Sequence, residues 1–539
     1  MISPANKPAS QEPGPAFLAD DYLAAARERI AVAYDPNLFA EAGHRLTDLL
    51  SEHLIRVGRL EGAVLPWVDP PQAVRDATAQ LLETAWDEGP VQDTSHTPVD
   101  DHISVPDRFP QEFARLVSLM LERGLNLHDP RYIGHQVPAP VPIAGLFDAV
   151  GSVTNQVMAV YEMGPWATAV EQAMVRELRM AIGWEPNSSA GVVTHGGSLA
   201  NLTALLTARN IALGDAWEKG LAGDGPRPVL LAHAGSHYSV ARAAGILGLG
   251  SRQVLPVPLD HLGRMDPQQL EQELRRVRAA GHPVVAVAAC ACATPTGAFD
   301  PLESIADICH QHGVWLHVDA AHGGAALLST RHRRLLAGIE RADSVVWDAH
   351  KMLFVPALCA FVLYRDADHR FQAFRQDAPY LFDPTAPGLA DYDSGTRAAE
   401  CTKRAAAFGL WGTWSLFGRQ LFADMVDVTF AMGRILYEKL KVAPDFTPLH
   451  EPQCNIVVFR HVPAELEAAP AEEVGAFQLE LRRRLIESGE FYIVPFKGDG
   501  IGALRVTIIN PLTTPAHLDL LLDALRRHGR ELLSRRRRP

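Results

Sequence analysis

The middle of this chain alternates short, wholly apolar segments with stretches of helical spacing, and this alternation limits the folds open to it. Strands that are apolar on both faces must be covered on both faces, which is typical of parallel sheets flanked by helices. We therefore predict βαβ units and a mainly parallel sheet within residues 126–425. The apolar segments are residues 228–232, 284–289, 314–318, 344–347 and 360–364.

The length of the chain, 539 residues, exceeds what one compact core holds, and the sequence pattern changes twice along it. Residues 1–125 have the apolar spacing of helices and contain a polar, proline-containing linker or long loop at 88–110. Residues 426–539 combine helical stretches with two short apolar strands. We therefore predict a helical segment over 1–125, a large domain over 126–425 and a small α+β domain over 426–539.

Composition excludes several classes of partner. The 63 acidic and 50 basic residues give a net charge of −13, so we expect no nucleic acid as partner. The six cysteines form no CxxC pair, so we expect neither a metal nor a disulfide framework, as in a reduced, cytoplasmic protein. No apolar run reaches the roughly 18–20 residues that span a bilayer, and residues 1–15 lack the apolar core of a signal peptide, so we expect no membrane association.

A pair of glycines, Gly196 and Gly197, lies between a strand end and a helix predicted to begin near Leu199. Glycines let the backbone approach an anion, and the free amides of a helix N-terminus favour negative charge. Ser198 adds a hydroxyl donor. The pattern fits a phosphate-binding loop, although a Gly-Gly turn before a helix is by itself more often a plain turn.

Two charged residues follow apolar strands farther along the chain. Asp319 follows strand 314–318, and a buried acid needs a partner, either the backbone of the next turn or a cationic ring nitrogen. Lys351 lies between an apolar strand and an apolar run, where lysine is rare unless its amine is used; the alternative is a surface turn. Desolvation lowers the pKa of a lysine and makes its amine nucleophilic, as a Schiff base requires.

Together these three signals indicate one ligand. Open α/β sheets bind ligands at the carboxyl ends of their strands, where all three signals fall. A phosphate cradle, an acid for a pyridine nitrogen and an amine for an aldehyde are the groups that bind pyridoxal phosphate. We therefore predict pyridoxal 5'-phosphate as the cofactor.

Over roughly residues 55–530 the chain resembles the group II pyridoxal-phosphate-dependent amino-acid decarboxylases, which include the glutamate, cysteine sulfinate, aromatic amino-acid and diaminobutyrate decarboxylases. The matching motifs are HVDAA at 317–321, HK at 350–351 and a degraded GTT-x-x-G-A-F-D segment at 292–300. The resemblance implies an α/β fold of fold type I, similar to aspartate aminotransferase. Its large domain has a mainly parallel seven-stranded sheet, preceded by a helical N-terminal segment and followed by a small α+β domain.

The resemblance also assigns roles to the cofactor residues. Lys351 would form the Schiff base, and Asp319 would pair with the ring nitrogen. Ala321 would pack on one face of the ring and His237 on the other, while Thr294 would lie near the ring and the substrate. The predicted cofactor-binding set is Gly197, Ser198, His237, Thr294, Asp319, Ala321, His350 and Lys351.

Tyr380 matches a family tyrosine, in a loop after Lys351, that returns a proton to the substrate α-carbon. Relatives that make aldehydes tend to have phenylalanine there, so the resemblance implies simple decarboxylation. Lys351, His237 and Tyr380 are thus the predicted catalytic residues. The alternative for Tyr380 is a tyrosine packed under the loop.

The predicted substrate contacts are His135, Lys403 and Arg404. Residues 401–404 resemble the CGR motif with which the glutamate and cysteine sulfinate branch holds the substrate carboxylate. Lys403 occupies the arginine position but lacks the planar fork of arginine, so the anchor is either Lys403 or Arg404. His135 borders the substrate pocket and replaces a glutamine of the glutamate enzymes.

The resemblance implies decarboxylation of a small-molecule L-amino acid to the amine and CO2, in a homodimer whose site lies at the subunit interface. The motifs favour an acidic substrate: glutamate, aspartate or cysteine sulfinate. Aromatic L-amino acids and L-2,4-diaminobutyrate stay open as alternatives. So do another pyridoxal-phosphate reaction on this scaffold and a non-catalytic family member.

Overall fold

The computed structural model describes residues 24, 27, 30–82, 109–221, 225–374, 392–498 and 501–536. The chain forms two compact units. The first falls within Met1–Gly62 and Pro66–Asn126, and the second within Ala63–Leu65 and Leu127–Pro539.

The first unit is helical. Within its described residues, the helices from Pro36 onward are α1 (Pro36–Gly58), α2 (Pro70–Leu82) and α3 (Phe109–Arg123), and α1 packs against α3. Asp35 caps α1 by accepting a hydrogen bond of 2.8 Å from the Asn37 amide. Most of the linker predicted at 88–110 lies outside the described residues.

A seven-stranded sheet forms the centre of the second unit. Its strands are β1 (Ala190–Thr194), β2 (Val229–His233), β3 (Val254–Val257), β4 (Val284–Cys290), β5 (Trp315–Asp319), β6 (Ser344–Asp348) and β7 (Ala360–Tyr364). Their order is β1-β7-β6-β5-β4-β2-β3. β7 runs antiparallel to both neighbours, and the other neighbouring pairs are parallel, which confirms the predicted mainly parallel sheet.

Helices precede and connect these strands. They are α4 (Pro142–Val153), α5 (Pro165–Ile182), α6 (Gly197–Leu213), α7 (Ala216–Lys219), α8 (Tyr238–Ile246), α9 (Pro267–Ala279) and α10 (Leu302–His312). None of the helices in the described part of the chain is long and apolar enough to cross a membrane.

Both faces of the large sheet are buried, because successive strand residues point to opposite faces. Along β4, Val287 and Ala289 belong to one apolar cluster, whereas Ala286 and Ala288 belong to a second. A strand with two buried faces must be apolar throughout, which explains the continuous apolar runs of the sequence.

A smaller antiparallel sheet forms the α+β part of the same unit. Its strands are β8 (Phe446–Pro448), β9 (Ile456–His461), β10 (Val494–Gly498) and β11 (Ile501–Thr507), in the order β10-β11-β9-β8. The accompanying helices are α11 (Phe408–Val442), α12 (Ala471–Glu487) and α13 (Pro515–Arg536). Gly418, with φ of 70°, kinks α11.

The strand directions position the functional residues. β1, β2, β4, β5 and β6 all run the same way, so their carboxyl ends meet at one edge of the large sheet. Asp319 ends β5 and Asp348 ends β6. Two carboxylates therefore lie side by side at the edge where an open α/β sheet binds its ligand.

Gly433 offers a test of the packing of α11. A Cβ on Gly433 would overlap the backbone carbonyl oxygen of Cys454, which cannot rotate away. We expect Gly433→Ala to lower the free energy of unfolding by about 1–3 kcal/mol, as overpacking does. Gly245→Ala, at an exposed position of α8 where a Cβ meets nothing within 4 Å, is expected to raise it by up to about 1 kcal/mol. Urea denaturation followed by circular dichroism measures both, and equal effects would contradict this packing.

Candidate active site

A cavity of about 340 Å³ opens at this edge of the large sheet. All the residues predicted to bind the cofactor line it, namely Gly197, Ser198, His237, Thr294, Asp319, Ala321, His350 and Lys351. The other lining residues are Gln136, His195, Gly196, Asn201, Cys290, Cys292, His322, Asp348 and Leu358. The structure thus brings together predicted cofactor residues that are as much as 154 positions apart, from Gly197 to Lys351.

The glycine loop ends at the N-terminus of α6, which begins at Gly197. Gly196 has φ of 105°, a conformation that favours glycine. A Cβ on Gly197 would lie 2.6 Å from Oδ2 of Asp348, so only glycine fits there. The loop therefore presents open backbone amides and the Ser198 side chain to the cavity, as a phosphate site requires.

The carboxylate of Asp319 is held by two donors. Its Oδ2 accepts a hydrogen bond of 3.0 Å from Nδ2 of Asn201, and its Oδ1 accepts one of 3.1 Å from the amide of Ala321. Nδ2 of Asn201 also donates to Oγ of Ser239 at 2.9 Å. Asp319 thus keeps a fixed orientation toward the cavity.

His317 fixes Asn201 in turn. Nε2 of His317 lies 2.9 Å from Oδ1 of Asn201, and its Nδ1 lies 2.9 Å from Oγ of Ser344. Because the amide oxygen of Asn201 only accepts, Nε2 carries the hydrogen. Burial lowers the pKa of His317 to about 4, so the ring is neutral at physiological pH.

His237 lines the cavity and caps α8. Its Nδ1 accepts a hydrogen bond of 3.3 Å from the amide of Ser239 and lies 2.8 Å from the Ser239 hydroxyl. Burial lowers the pKa of His237, and Asp319 opposes this effect. The neutral ring therefore carries its hydrogen on Nε2, the nitrogen that Ser239 does not contact.

Lys351 faces a carboxylate that the sequence analysis did not select. Its Nζ lies 3.4 Å from Oδ2 of Asp348, and Nε2 of His350 lies 3.6 Å from the same oxygen. Nδ1 of His350 lies 2.9 Å from the carbonyl oxygen of Cys359, which orients the ring. Burial raises the pKa of Asp348, against the effects of Lys351 and His350.

Arg505 supports the backbone of the Thr294 segment. On β11, it donates from Nη2 to the carbonyl oxygen of Thr294 at 2.7 Å and from Nε to that of Pro295 at 3.2 Å. Burial lowers the pKa of this guanidinium. A strand of the smaller sheet thus fixes a segment that lines the cavity.

The position of Lys403 corrects the expectation that it anchors the substrate. Its Nζ donates to both carboxylate oxygens of Glu171, at 2.9 and 2.8 Å, and to the carbonyl oxygen of Val193 at 2.8 Å. An ammonium has three hydrogens, and these acceptors use all of them. The Lys403 and Glu171 side chains are each 1% exposed. Lys403 therefore holds the end of β1 and has no donor left for a substrate.

The structure does not place the other predicted substrate contacts in the cavity lining. Arg404 is exposed and donates to Oγ of Ser152 at 2.6 Å; it does not line the cavity that the described residues form. His135 is exposed and packs beside Tyr492, while its neighbour Gln136 lines the cavity. Tyr380 lies outside the described residues, so its role stays a prediction.

Several lining residues were missed by the sequence analysis. Asp348 carries the signal that identified Asp319, an acid at the end of an apolar strand. Asn201 is a polar residue one turn into a helix that is otherwise mostly apolar. His195 lies in the glycine loop, where its Nδ1 pairs with Oε1 of Glu400 at 2.7 Å. The first two could have been found from their place in the pattern, whereas the Glu400 contact depends on the tertiary fold.

The buried pair of Lys403 and Glu171 offers a test of its structural role. Lys403→Met leaves a buried, unpaired carboxylate and is expected to lower the free energy of unfolding by about 3–5 kcal/mol. Adding Glu171→Leu removes both charges and is expected to restore most of this loss. Arg404→Met, at the exposed neighbour, is expected to change it by less than about 0.5 kcal/mol. Chemical denaturation measures these changes. If Lys403→Met were as stable as the wild type, this would contradict the structural role of the Lys403–Glu171 pair.

Comparisons with known proteins agree with this site. The family model described as the pyridoxal-dependent decarboxylase conserved domain matches residues 124–462. The acidic amino acid decarboxylase GADL1 of Mus musculus is 32% identical over 505 residues, which cover 92% of this chain and 86% of the relative. The Homo sapiens protein of the same name is 34% identical over 386 residues, which cover 70% of this chain and 73% of the relative.

Solved structures resemble this fold as well. Mouse CSAD superposes with a TM-score of 0.79 at 29% identity, covering 92% of this chain and 99% of that chain. The glutamate decarboxylase domain of a diaminobutyrate-pyruvate transaminase and L-2,4-diaminobutyrate decarboxylase from Vibrio parahaemolyticus has a TM-score of 0.75 at 25% identity, covering 92% and 95%. From the site, the family model and these relatives together, the chain belongs to the pyridoxal-dependent decarboxylases.

Proposed function

We propose that this decarboxylase converts an acidic L-amino acid into its amine and CO2, with glutamate, aspartate and cysteine sulfinate as candidate substrates. The observation that supports this reaction class is that Lys351, Asp319 and the N-terminus of α6 all line one cavity. The acidic substrate class is supported by the relatives named acidic amino acid decarboxylase, which are 32–35% identical to this chain.

Positive charge near His135 also supports an acidic substrate. Partial desolvation of its ring lowers the pKa of His135, and the nearby cations Arg505 and Arg482 lower it further. His135 adjoins Gln136, which lines the cavity. Cations at this position attract the anionic side chain of an acidic substrate and stabilise the bound substrate.

The cavity residues fit pyridoxal phosphate, the cofactor of the family. Lys351 would hold its aldehyde carbon, and the open amides at Gly197 and Ser198 would hold its phosphate. When bound, the cofactor supplies an electron-accepting ring for the electron pair left as CO2 departs. Asp319, oriented by its two donors, would keep a proton on the ring nitrogen.

The remaining lining residues would place the ring. We assign His237 and Ala321 to its two faces and Thr294 to the edge shared with the substrate. His350, oriented by the Cys359 carbonyl group, would support Lys351 from the adjacent position. His237 keeps its ring position through Ser239, so it can present Nε2 to the cavity.

Proton return to the α-carbon decides the product. We propose that Tyr380 donates this proton with the help of His237, which would give an amine rather than an aldehyde. General-acid catalysis of this kind typically contributes about 10²–10⁴-fold. With Lys403 bound to Glu171 and Arg404 outside the cavity lining, we retain His135, the neighbour of the lining residue Gln136, as the proposed substrate contact.

We also propose a homodimer with the active site at the subunit interface, in a cytoplasmic protein. Residues 1–125 would form the dimerisation segment, with the large and small domains over 126–425 and 426–539. The first unit supports this assembly, because an exposed apolar surface of this kind marks a protein contact. Large side chains exposed on it are Ile30, Tyr34, Phe39, Ile55 and Val74.

The substrate class can be tested on the purified holoenzyme with separate acidic, aromatic and basic L-amino acids. We expect mass spectrometry to detect the amine from an acidic substrate and Lys351→Ala to abolish it, because the cofactor loses its covalent anchor. Amine from only an aromatic amino acid or L-2,4-diaminobutyrate would contradict the acidic class. No product with bound cofactor would favour another pyridoxal-phosphate reaction or a non-catalytic member.

The role of Tyr380 is tested in the same assay. Tyr380→Phe removes the proposed proton donor, so we expect the amine to fall by about 10²–10⁴-fold. In an assay that contains dioxygen as the oxidant, we expect the aldehyde to become the larger share of product. Tyr392→Phe, at an exposed tyrosine, is the matched control and should keep the wild-type ratio of amine to aldehyde. A wild-type ratio in both variants would assign Tyr380 to packing alone.

A further inference from the structure

Asp348 is a second carboxylate in the cavity, and none of the roles proposed above involves it. It ends β6, and its side chain is 2% exposed. Its Oδ2 lies 3.4 Å from Nζ of Lys351 and 3.6 Å from Nε2 of His350. The carboxylate therefore lies directly beside the amine that is proposed to bind the cofactor.

The other oxygen of Asp348 lacks a donor within the described part of the chain. Among the residues that the structure describes, Oδ1 is buried and has no hydrogen-bond partner. Leaving a buried acceptor unpaired costs about 1–3 kcal/mol, and more when the group is charged. A buried, unpartnered oxygen at a ligand cavity indicates either a partner supplied by the ligand or a change of protonation.

Asp348 also packs against the proposed phosphate site. A Cβ on Gly197 would lie 2.6 Å from Oδ2 and 2.9 Å from Oδ1 of Asp348, so the carboxyl group contacts the first residue of α6. A phosphate monoester carries a charge of about −1.5 to −2 at pH 7. Its arrival at the N-terminus of α6 would bring this charge next to Asp348, and like charges disfavour ionisation.

Attachment of the cofactor changes Lys351 as well. Condensation of its ammonium group with an aldehyde removes two hydrogens from the nitrogen, which leave with the aldehyde oxygen as water. Asp348 then faces a nitrogen with one hydrogen instead of three. Both changes weaken the interactions that stabilise an ionised Asp348.

We infer that Asp348 takes up one proton from solvent when the cofactor binds and remains a neutral carboxylic acid in the loaded site. The proton converts an acceptor-only group into a hydrogen-bond donor next to the phosphate. Asp348 is thus a positioning residue that makes cofactor binding depend on pH. The inference rests on the proposed roles of Lys351 and the N-terminus of α6.

The groups around Asp348 agree with this behaviour. Burial raises the pKa of Asp348; Lys351 and His350 oppose this effect, and Asp319 reinforces it. His237 also faces Asp348, and burial keeps that ring largely neutral by lowering its pKa. Loading the site weakens the contribution of Lys351, so the pKa of Asp348 rises further. Cofactor binding is therefore accompanied by proton uptake at a pH between the pKa of Asp348 in the free enzyme and its higher pKa in the loaded enzyme.

The test measures the proton uptake that accompanies binding of pyridoxal phosphate to the apoenzyme. Isothermal titration calorimetry in buffers of different ionisation enthalpy, from pH 6 to 9, gives the number of protons and the Kd. We expect the wild type to take up as much as about one proton more than Asp348→Asn. The wild-type to variant ratio of Kd should rise by up to about tenfold per pH unit above the pKa of free Asp348.

The matched control is Glu400→Gln, which removes a carboxylate paired with the cavity residue His195 but keeps Asp348. It should retain the proton uptake of the wild type. If Asp348→Asn takes up as many protons as the wild type throughout this range, the inference is overturned. Because no substrate is used, that result would leave the proposed decarboxylation untouched.

A second measurement needs no variant and remains informative if Asp348→Asn fails to fold. At pH 8 the phosphate of the free cofactor is already a dianion, so it contributes no proton change of its own. The wild-type apoenzyme should take up more protons with pyridoxal phosphate than with pyridoxal, which lacks the phosphate. Equal uptake with both compounds would contradict the inference.

Discussion

The hydrogen bonds that hold Asp319 are the interactions on which the rest of the site depends. They join helix α6 to two strands of the large sheet, because Asn201 on α6 contacts Asp319 and His317 on β5, and His317 contacts Ser344 on β6. Burial lowers the pKa of His317 to about 4, so the neutral ring donates its one hydrogen from Nε2 to Asn201. A fixed carboxylate at the end of a parallel strand can hold a proton on a ring nitrogen without reorganising, which is the preorganisation that catalysis uses.

A second buried interaction fixes the other side of the cavity. Lys403 and Glu171 together bind the carbonyl group and the amide of Val193, at the end of β1. This strand leads directly into the glycine loop, so the ion pair determines where the α6 N-terminus lies. Two charges that are 1% exposed stabilise such a site only when their hydrogen bonds are complete, as they are for Lys403.

Much of this arrangement could be predicted from the sequence. Continuous apolar runs identified strands β2, β4, β5, β6 and β7 to within one or two residues of their observed ends, because these strands are buried on both faces. Lys351, Asp319 and Gly197 followed from the rule that ligands bind at carboxyl ends of strands. The partner of Lys403 could not be predicted, since Glu171 is 232 positions away and meets it only in the folded chain. In the sequence, Lys403 therefore matched the position of a substrate-binding cation, although its charge is paired in the fold.

The chemistry proposed for this site requires Lys351 to bind pyridoxal phosphate through its amine. Reduction of the holoenzyme with borohydride, followed by digestion and mass spectrometry of the peptides, tests it directly. We expect the added mass of the reduced cofactor on Lys351 alone, and none on any peptide of the Lys351→Ala variant. Cofactor mass on another lysine, or none on Lys351 in the wild type, would contradict the account.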